Sequence, residues 1–418
     1  MLASPIAKTV RSFYDRGESF RIFRGSTNST RPPHHEKTVD ISALSNIIHI
    51  NQDAHTILVE PNVPMDRLVA ATLQHNLIPP VVMEFPGITA GGGYAASAGE
   101  SSSFKHGYFD QTANWVEMIL GNGDIIKASP TENSDLFQGA AGALGTLGIM
   151  TLIELRLIPA KKYVCTTYHR TGSVAETIET IQRETQDAGN DYIDGIIFSK
   201  THGVVITGRM TDSLPSTTKP QTFSRAWDPW YYLHLQSKTA PLNPAGTTSD
   251  YVPLPEYLFR WDRGGFWVGR EAFSYFGPIP FNRYTRWFLD DFMHTRMLYR
   301  ALHSGSGSER SAFGVMVQDL ALPYATAEAF IDYTATELDI WPLWLCPLRG
   351  VQGATFHPST TLAEPMLNIG LWGRASRDWN TFVCHNRRLE KVLGTLGGRK
   401  VLYSHTYYTE EEFWALYD

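Results

Sequence analysis

Between Pro86 and Ser101 the chain reads P-G-I-T-A-G-G-G-Y-A-A-S-A-G-E-S, sixteen residues of which five are glycine and four are alanine. A stretch so poor in side chains cannot build a core of its own. It lets a flat ligand, or another length of backbone, approach the main chain closely enough to meet its N–H groups. Two further segments have the same character. Arg24-Gly25-Ser26-Thr27-Asn28-Ser29-Thr30 is a run of small residues that can curl amides and hydroxyls around a pyrophosphate, and Gly142-Ala143-Leu144-Gly145-Thr146-Leu147-Gly148 leads into a strand pattern. Any one of them reads first as a tight turn or a close packing contact. Three within roughly 130 residues predict a nucleotide-type cofactor. Gly91-x-Gly93-x-x-Ala96 approaches the dinucleotide fingerprint, but Glu84-Phe85-Pro86-Gly87 before it lacks the buried-strand pattern of a Rossmann turn. No G-x-x-x-x-G-K-[ST] occurs, which excludes a P-loop.

The 418 residues suffice for two or three domains, and 43% hydrophobic against 19% charged residues marks a globular chain. A net charge of -6 disfavours a nucleic-acid partner. Cys165, Cys346 and Cys384 have no C-x-x-C spacing, which argues against a zinc cluster and for a reducing, cytoplasmic setting. The first residues lack the apolar core of a secretory signal, and no run of about 18 apolar residues spans a bilayer. The sequon at Asn28-Ser29-Thr30 falls inside a cofactor loop and is read as chance.

Local patterns predict a strand at 56–61, a helix over 65–75, a hairpin of 115–120 with 125–128 about Asn122-Gly123, and a strand at 149–158. After residue 160 a helix is expected at 174–185 and a strand pair at 193–198 and 204–207. Segments 213–220 and 239–253 read as exposed loops or a lid, and 281–302 as one helix. In that helix Tyr284, Trp287, Phe288, Phe292 and Leu298 form an aromatic face, either core or ligand wall. Strands and helices mix without regular alternation, so the fold class is α+β.

The order R-G-S-T-N-S-T, T-A-G-G-G-Y-A-A-S-A-G-E-S-S-S-F-K-H-G, P-T-E-N-S-D-L-F and G-T-L-G resembles the FAD domain of the vanillyl-alcohol oxidase / p-cresol methylhydroxylase (PCMH) type. Within that superfamily the likeness is greatest to the Δ24-sterol reductases, supported by V-Q-D-L at Val317, W-P-L-W-L-C-P at Trp341 and E-E-F-W at Glu411. The resemblance implies a two-subdomain FAD-binding domain over 1–160 and an α+β substrate or cap domain over 161–418, its last residues returning to the flavin half. It implies that Arg24, Gly25, Ser26, Thr27, Asn28 and Ser29 hold the pyrophosphate side of FAD. Thr89, Ala90, Gly91, Gly92, Gly93, Ala96, Ser97, Gly99, Glu100, Ser101 and Ser102 would line the cofactor, with Gly145, Thr146 and Gly148 nearby. Asn28 stands where other members attach FAD through histidine, which implies a non-covalent cofactor. The family's H-K-Y is Phe104-Lys105-His106 here, and its Y-Y-H-R-H-T-R is Tyr257–Arg263. Most such departures lie in the cap half and bear on substrate choice.

FAD carries hydride chemistry, and the protein must add a proton donor or acceptor. Glu100 and His106 are the catalytic candidates beside the glycine loops, with Lys105 close by. Tyr257, Arg260, Asp262, Arg263, Glu271, Arg283 and Asp319 are further titratable candidates. The resemblance implies reduction of a carbon–carbon double bond in a large lipophilic substrate, a sterol, terpenoid or other secondary metabolite, with NADPH as transient electron donor. An O2-consuming oxidase or dehydrogenase, a non-redox isomerase or cyclase that keeps its flavin, and a non-catalytic binder stay open, as do oligomeric state and a peripheral membrane association.

Overall fold

The computed structural model describes residues 3–25, 37–240, 247–273, 279–304, 314–352, 356–359 and 363–417. Helix α1 (Ala3–Asp15) buries Ala7, Val10 and Phe13 against a small core that includes Val39, Ile41 and Ile119. Short strands β1 (Arg21–Phe23) and β2 (Thr38–Asp40) pair in parallel beneath it.

Strands β3 (Ile47–Asn51) and β4 (Thr56–Val59) begin an antiparallel sheet. Helix α2 (Met65–Leu73) follows, burying Met65, Leu68, Val69 and Thr72 at the spacing of one helical face. Strand β5 (Leu77–Ile78) comes next, then β6 (Ala113–Ile119), β7 (Ile125–Ala128), β8 (Ile149–Arg156) and β9 (Ile158–Pro159). The five-stranded order is β3-β4-β8-β6-β7, with β5 and β9 paired separately. The expected hairpin forms between β6 and β7. At its turn Gly123 has φ +84°, and a Cβ there would lie 2.9 Å from the Ala7 carbonyl oxygen, so α1 can dock on the turn only if it is glycine.

From β10 (Tyr163–Thr171) onward the strands belong to a second sheet: β11 (Tyr192–Ser199), β12 (His202–Thr211), β13 (Thr247–Pro253), β14 (Val315–Pro323), β15 (Leu343–Leu348), β16 (Met366–Arg374) and β17 (Arg399–Lys400). Its order is β13-β10-β12-β11-β15-β16-β14-β17, antiparallel throughout. The helix Val174–Glu184 starts at Ser173, whose hydroxyl accepts from the Glu176 N–H, while Glu176 accepts from the Gly172 N–H. The central strands β11, β15 and β16 are buried almost along their whole length, so neighbouring elements cover both faces of the sheet. Mixed helix and antiparallel sheet make the chain α+β.

Two expectations change. Residues 247–253 are strand rather than loop. They pair with β10 at the sheet edge, where a Thr/Pro-rich strand needs only one hydrogen-bonded side. The helix expected over 281–302 is three pieces: Arg283–Phe288 behind an Asn282–Thr285 capping box, a 3-10 turn at Asp290–Phe292, and Thr295–Ser304. Tertiary bonds break it, because Asp290 turns to the buried Arg263 while Asp262 accepts the Thr295 N–H and hydroxyl. Tyr284, Trp287, Phe288 and Phe292 are exposed, forming neither core nor buried wall, whereas Leu298 packs against the main core.

Candidate active site

The glycine-rich run folds into a short helix, α3 (Ala90–Ala95), followed by a tight descent into a second, α4 (Ser103–His106). Thr89 caps α3, its hydroxyl accepting from the Gly92 N–H at 3.2 Å. Gly91 donates to the Pro61 carbonyl at 2.8 Å, and a Cβ on Gly91 would sit 2.6 Å from the Pro61 Cβ, so the helix lies directly on the preceding strand's exit. Ala96 closes the helix, and Ser97 adopts the left-handed conformation at φ +48°. Gly99 faces the second sheet, where its Cβ would meet Leu348 at 2.5 Å, and the Ser101 carbonyl accepts from the Ile193 N–H at 2.7 Å. The run is thus clasped between the two halves of the chain.

The three glycine segments converge. Leu144 donates to the Ala95 carbonyl at 2.9 Å, tying the third to the second. Gly145, at φ +83°, lies against Ile22 of β1, which brings the third beside Arg24 and Gly25. Thr146 turns its hydroxyl back to the Ala143 carbonyl, and Gly148 packs on the Ile119 carbonyl. Ser26, Thr27, Asn28 and Ser29 lie outside the described residues, and the implied non-covalent attachment at Asn28 lies there with them. The residues present fit a dinucleotide. The buried Ser97 Oγ has no hydrogen-bond partner, and the N–H groups of Gly99, Ser101 and Ser102 meet no acceptor among the described residues. A cavity between Tyr94, Asp110, Ala141 and His357 measures about 30 Å³, room for a water.

Behind the clasp lies a buried cluster of acids around one guanidinium. Arg260 donates from one nitrogen to Glu84 at 3.0 Å and to Asp194 at 2.8 Å. The same Asp194 oxygen accepts from the indoles of Trp261 and Trp344, each at 3.2 Å. Arg260 also stacks on Tyr257, 4.1 Å from its ring centre. One buried cation cannot neutralise several carboxylates, so burial pushes the remaining acids toward their protonated forms. Glu84 rises to about 8, chiefly through desolvation, and its Oε2 has no partner. Glu100 is held well above the carboxylate range by desolvation, with Glu84 and Asp319 pushing it further. Asp319 rises to about 6 by burial, although Asn368 and Tyr403 donate to it.

An aromatic box adjoins the acids. Phe266 stacks on Trp261 at 4.4 Å and meets Trp372 at 4.5 Å, while Trp344 stacks on Trp372 at 5.8 Å. Phe85, from the first half, meets Phe266 edge-on at 5.5 Å and Tyr299 at 6.1 Å. Gly264, Gly265 and Phe266 are three successive residues in the left-handed region, and for a phenylalanine that conformation is strained. The strain wedges the Phe266 ring between two tryptophans.

The structure brings Glu100, Arg260, Tyr257 and Asp319 together and sets the other candidates apart. His106 lies among Lys105, Arg156 and Arg349, and its imidazole falls to about 4, through desolvation first and those cations second. Lys105 pairs with Asp191 at 2.8 Å. Asp262 holds His294 and Thr295, Arg263 is spent on Asp290 and three carbonyls, and Glu271 pairs with Arg374. Arg283 lies at the exposed Trp227 ring. Glu84 and Asp194 escaped the sequence reading. Neither sits in a motif, and only the packing of two distant segments on Arg260 gives them meaning.

A sequence profile described as an FAD binding domain matches residues 3–129, which span the glycine run and α4. The Δ24-sterol reductase of Mus musculus is 29% identical over 431 aligned residues, covering 99% of this chain and 80% of that protein. Along nearly its whole length the chain is similar to the Δ24-sterol reductases, and its first third matches an FAD binding domain. The pea counterpart, from Pisum sativum, is 26% identical over 74% of the chain and 56% of its own length. A rice cytokinin dehydrogenase is 31% identical, but over only 32% of the chain and 26% of its own length. This Δ24-sterol-reductase-like chain is an FAD-dependent oxidoreductase. Among the described residues of the flavoprotein no helix is long and apolar enough to cross a membrane.

Proposed function

We propose that this protein reduces a carbon–carbon double bond in a large lipophilic substrate of the sterol or terpenoid class, with Glu100 delivering the proton and NADPH reducing the flavin. Bound FAD supplies the hydride. Residues 1–160 hold the cofactor without a covalent link, through Arg24–Ser29, Thr89–Ser102 and Gly145–Gly148, and residues 161–418 form the substrate half. The observation that carries this reading is the buried Glu100 carboxyl. It lies in the glycine run itself, and burial beside Glu84 and Asp319 favours its protonated form. An unactivated double bond accepts a hydride only as a proton arrives at the neighbouring carbon, so a neutral acid in a dry site is the group this chemistry requires. The aromatic box of Trp261, Phe266, Trp344 and Trp372 supplies an apolar wall for such a substrate and excludes water. A lipophilic substrate is met at a membrane surface, which makes the protein a peripheral membrane visitor.

The decisive experiment is anaerobic mixing of the purified yellow protein with NADPH and then with a Δ24-unsaturated sterol. Bleaching by NADPH followed by sterol-driven reoxidation supports the reading. Flavin that is bleached by substrate and reoxidised by O2 would overturn it in favour of an oxidase, and product without any flavin redox change in favour of an isomerase. Acid precipitation should leave the flavin in the supernatant.

A further inference from the structure

The segment that failed to become core leaves several large aromatic rings exposed close together. Tyr284 is 73% exposed, Phe288 78%, Phe292 55% and Trp287 43%, all within nine residues. The helix Arg283–Phe288 buries none of its side chains, yet its Asn282–Thr285 capping box fixes its start. Tyr284 and Phe288 share a side of that helix, with Trp287 adjoining, and Phe292 follows in the next turn. Trp227, arriving from a separate loop and 45% exposed, stacks on Trp287 at 4.9 Å and meets Tyr284 edge-on at 6.3 Å. Trp227, Tyr284 and Trp287, from two segments, therefore assemble on the outside, with Phe288 and Phe292 exposed close by in sequence, whereas isolated exposed rings would need no explanation.

The charges around them choose the occupant. Arg283 lies 5.4 Å from the Trp227 ring centre, and Arg286 reaches back over Phe281 at 4.9 Å. Asp290 is turned inward to Arg263 and His294, leaving Asp291 as the one exposed acid of the turn. The charges flanking the rings are Arg225, Arg283 and Arg286 against Asp228 and Asp291, which leaves the rim cationic by one. Protruding Trp, Tyr and Phe rings with arginine at their edge suit the boundary between lipid headgroups and acyl chains. Tyr284 and Phe288, each more than 70% exposed, stand out as knobs that can enter a soft medium.

We propose that Trp227, Tyr284, Trp287, Phe288 and Phe292 dock the protein on a phospholipid surface, Arg283 and Arg286 engaging anionic headgroups. The proposal rests on the peripheral membrane association put forward above and names the face that performs it. It implies that the cap half, rather than the glycine loops, meets the bilayer.

The test is flotation of the full-length protein with vesicles of phosphatidylcholine, alone or mixed with phosphatidylserine. Wild type should float with both and better with the anionic mixture. The double variant Trp287→Ser/Phe288→Ser should bind at least about tenfold more weakly, and Arg283→Glu/Arg286→Glu should lose the preference for phosphatidylserine. Tyr14→Ser, which removes an exposed ring on α1, should bind like wild type. Flavin absorbance and circular dichroism of each variant report folding independently. Wild type that stays in the aqueous fraction would sink both membrane association and this surface. Wild type that floats together with an unimpaired double variant would sink the surface alone. Self-association of wild type that the double variant abolishes, without flotation, would reassign the patch to a copy of the same chain and overturn the proposal.

Discussion

At Glu100 the chain places a carboxyl where solvent cannot reach it and where other acids oppose its ionisation. Glu100→Gln keeps the shape and removes the transferable proton. Substrate reduction should fall by roughly 10²-fold or more while reduction of the flavin by NADPH is unchanged, a split that single-turnover absorbance resolves. The wild-type rate should decline as pH rises and the acid is lost. Glu84 bears on stability. Its pKa is raised from 4.5 to about 8, so the folded state holds a proton that the unfolded chain has given up. That contribution is complete below about 4.5 and is lost as pH climbs through about 8. Thermal melting should therefore weaken over that window, and Glu84→Gln should flatten the slope. Arg260 is the reciprocal case. Arg260→Leu leaves Asp194 buried without its cation and should cost about 3–5 kcal/mol by denaturant unfolding, because a buried charge without its partner is worse than no pair.

Among the elements, the glycine run shows what backbone proximity demands. Gly91→Ala puts a methyl 2.6 Å from Pro61 and 3.1 Å from its backbone, neither of which can swing away. It should destabilise by about 1–3 kcal/mol and loosen flavin retention on gel filtration. At Gly99 the obstacle is the end of the Leu348 side chain, so Gly99→Ala should be milder. Elements whose sequence pattern matched their burial were legible in advance: β4, α2, the β6–β7 hairpin and the helix Val174–Glu184 form as the periodicity dictates. The glycine run gave the cofactor loop but concealed α3, since Ala-Gly-Gly-Gly-Tyr-Ala is a poor helix by propensity and is held by Thr89 and Pro61 instead. Residues 247–253 read as loop because edge strands tolerate Thr and Pro. Of the acid cluster, Glu100 was legible through its motif and Arg260 and Asp319 as titratable candidates, whereas Glu84 and Asp194 acquire a role only when segments 176 and 66 residues from Arg260 fold onto it.

Across the whole molecule, the two halves share one hydrophobic core and are joined by specific contacts, among them the Ile193 N–H on the Ser101 carbonyl, Leu348 on Gly99, and Glu84 on Arg260. Opening the cap means breaking these together, which makes the two halves one cooperative unit at the seam even though each has its own sheet. The tryptophans beside that seam carry an optical consequence. Trp372 lies 5.5 Å from Trp267 and 5.8 Å from Trp344, with ring planes inclined by 35° and 26°. Indoles so near and so skewed share their excited states, and a shared excitation appears in circular dichroism as a paired positive and negative band. Trp372→Phe should erase that couplet while leaving the helical signal intact. Because the chromophores sit where the halves meet, the couplet would serve as a built-in gauge of cap closure, readable without label, substrate or turnover.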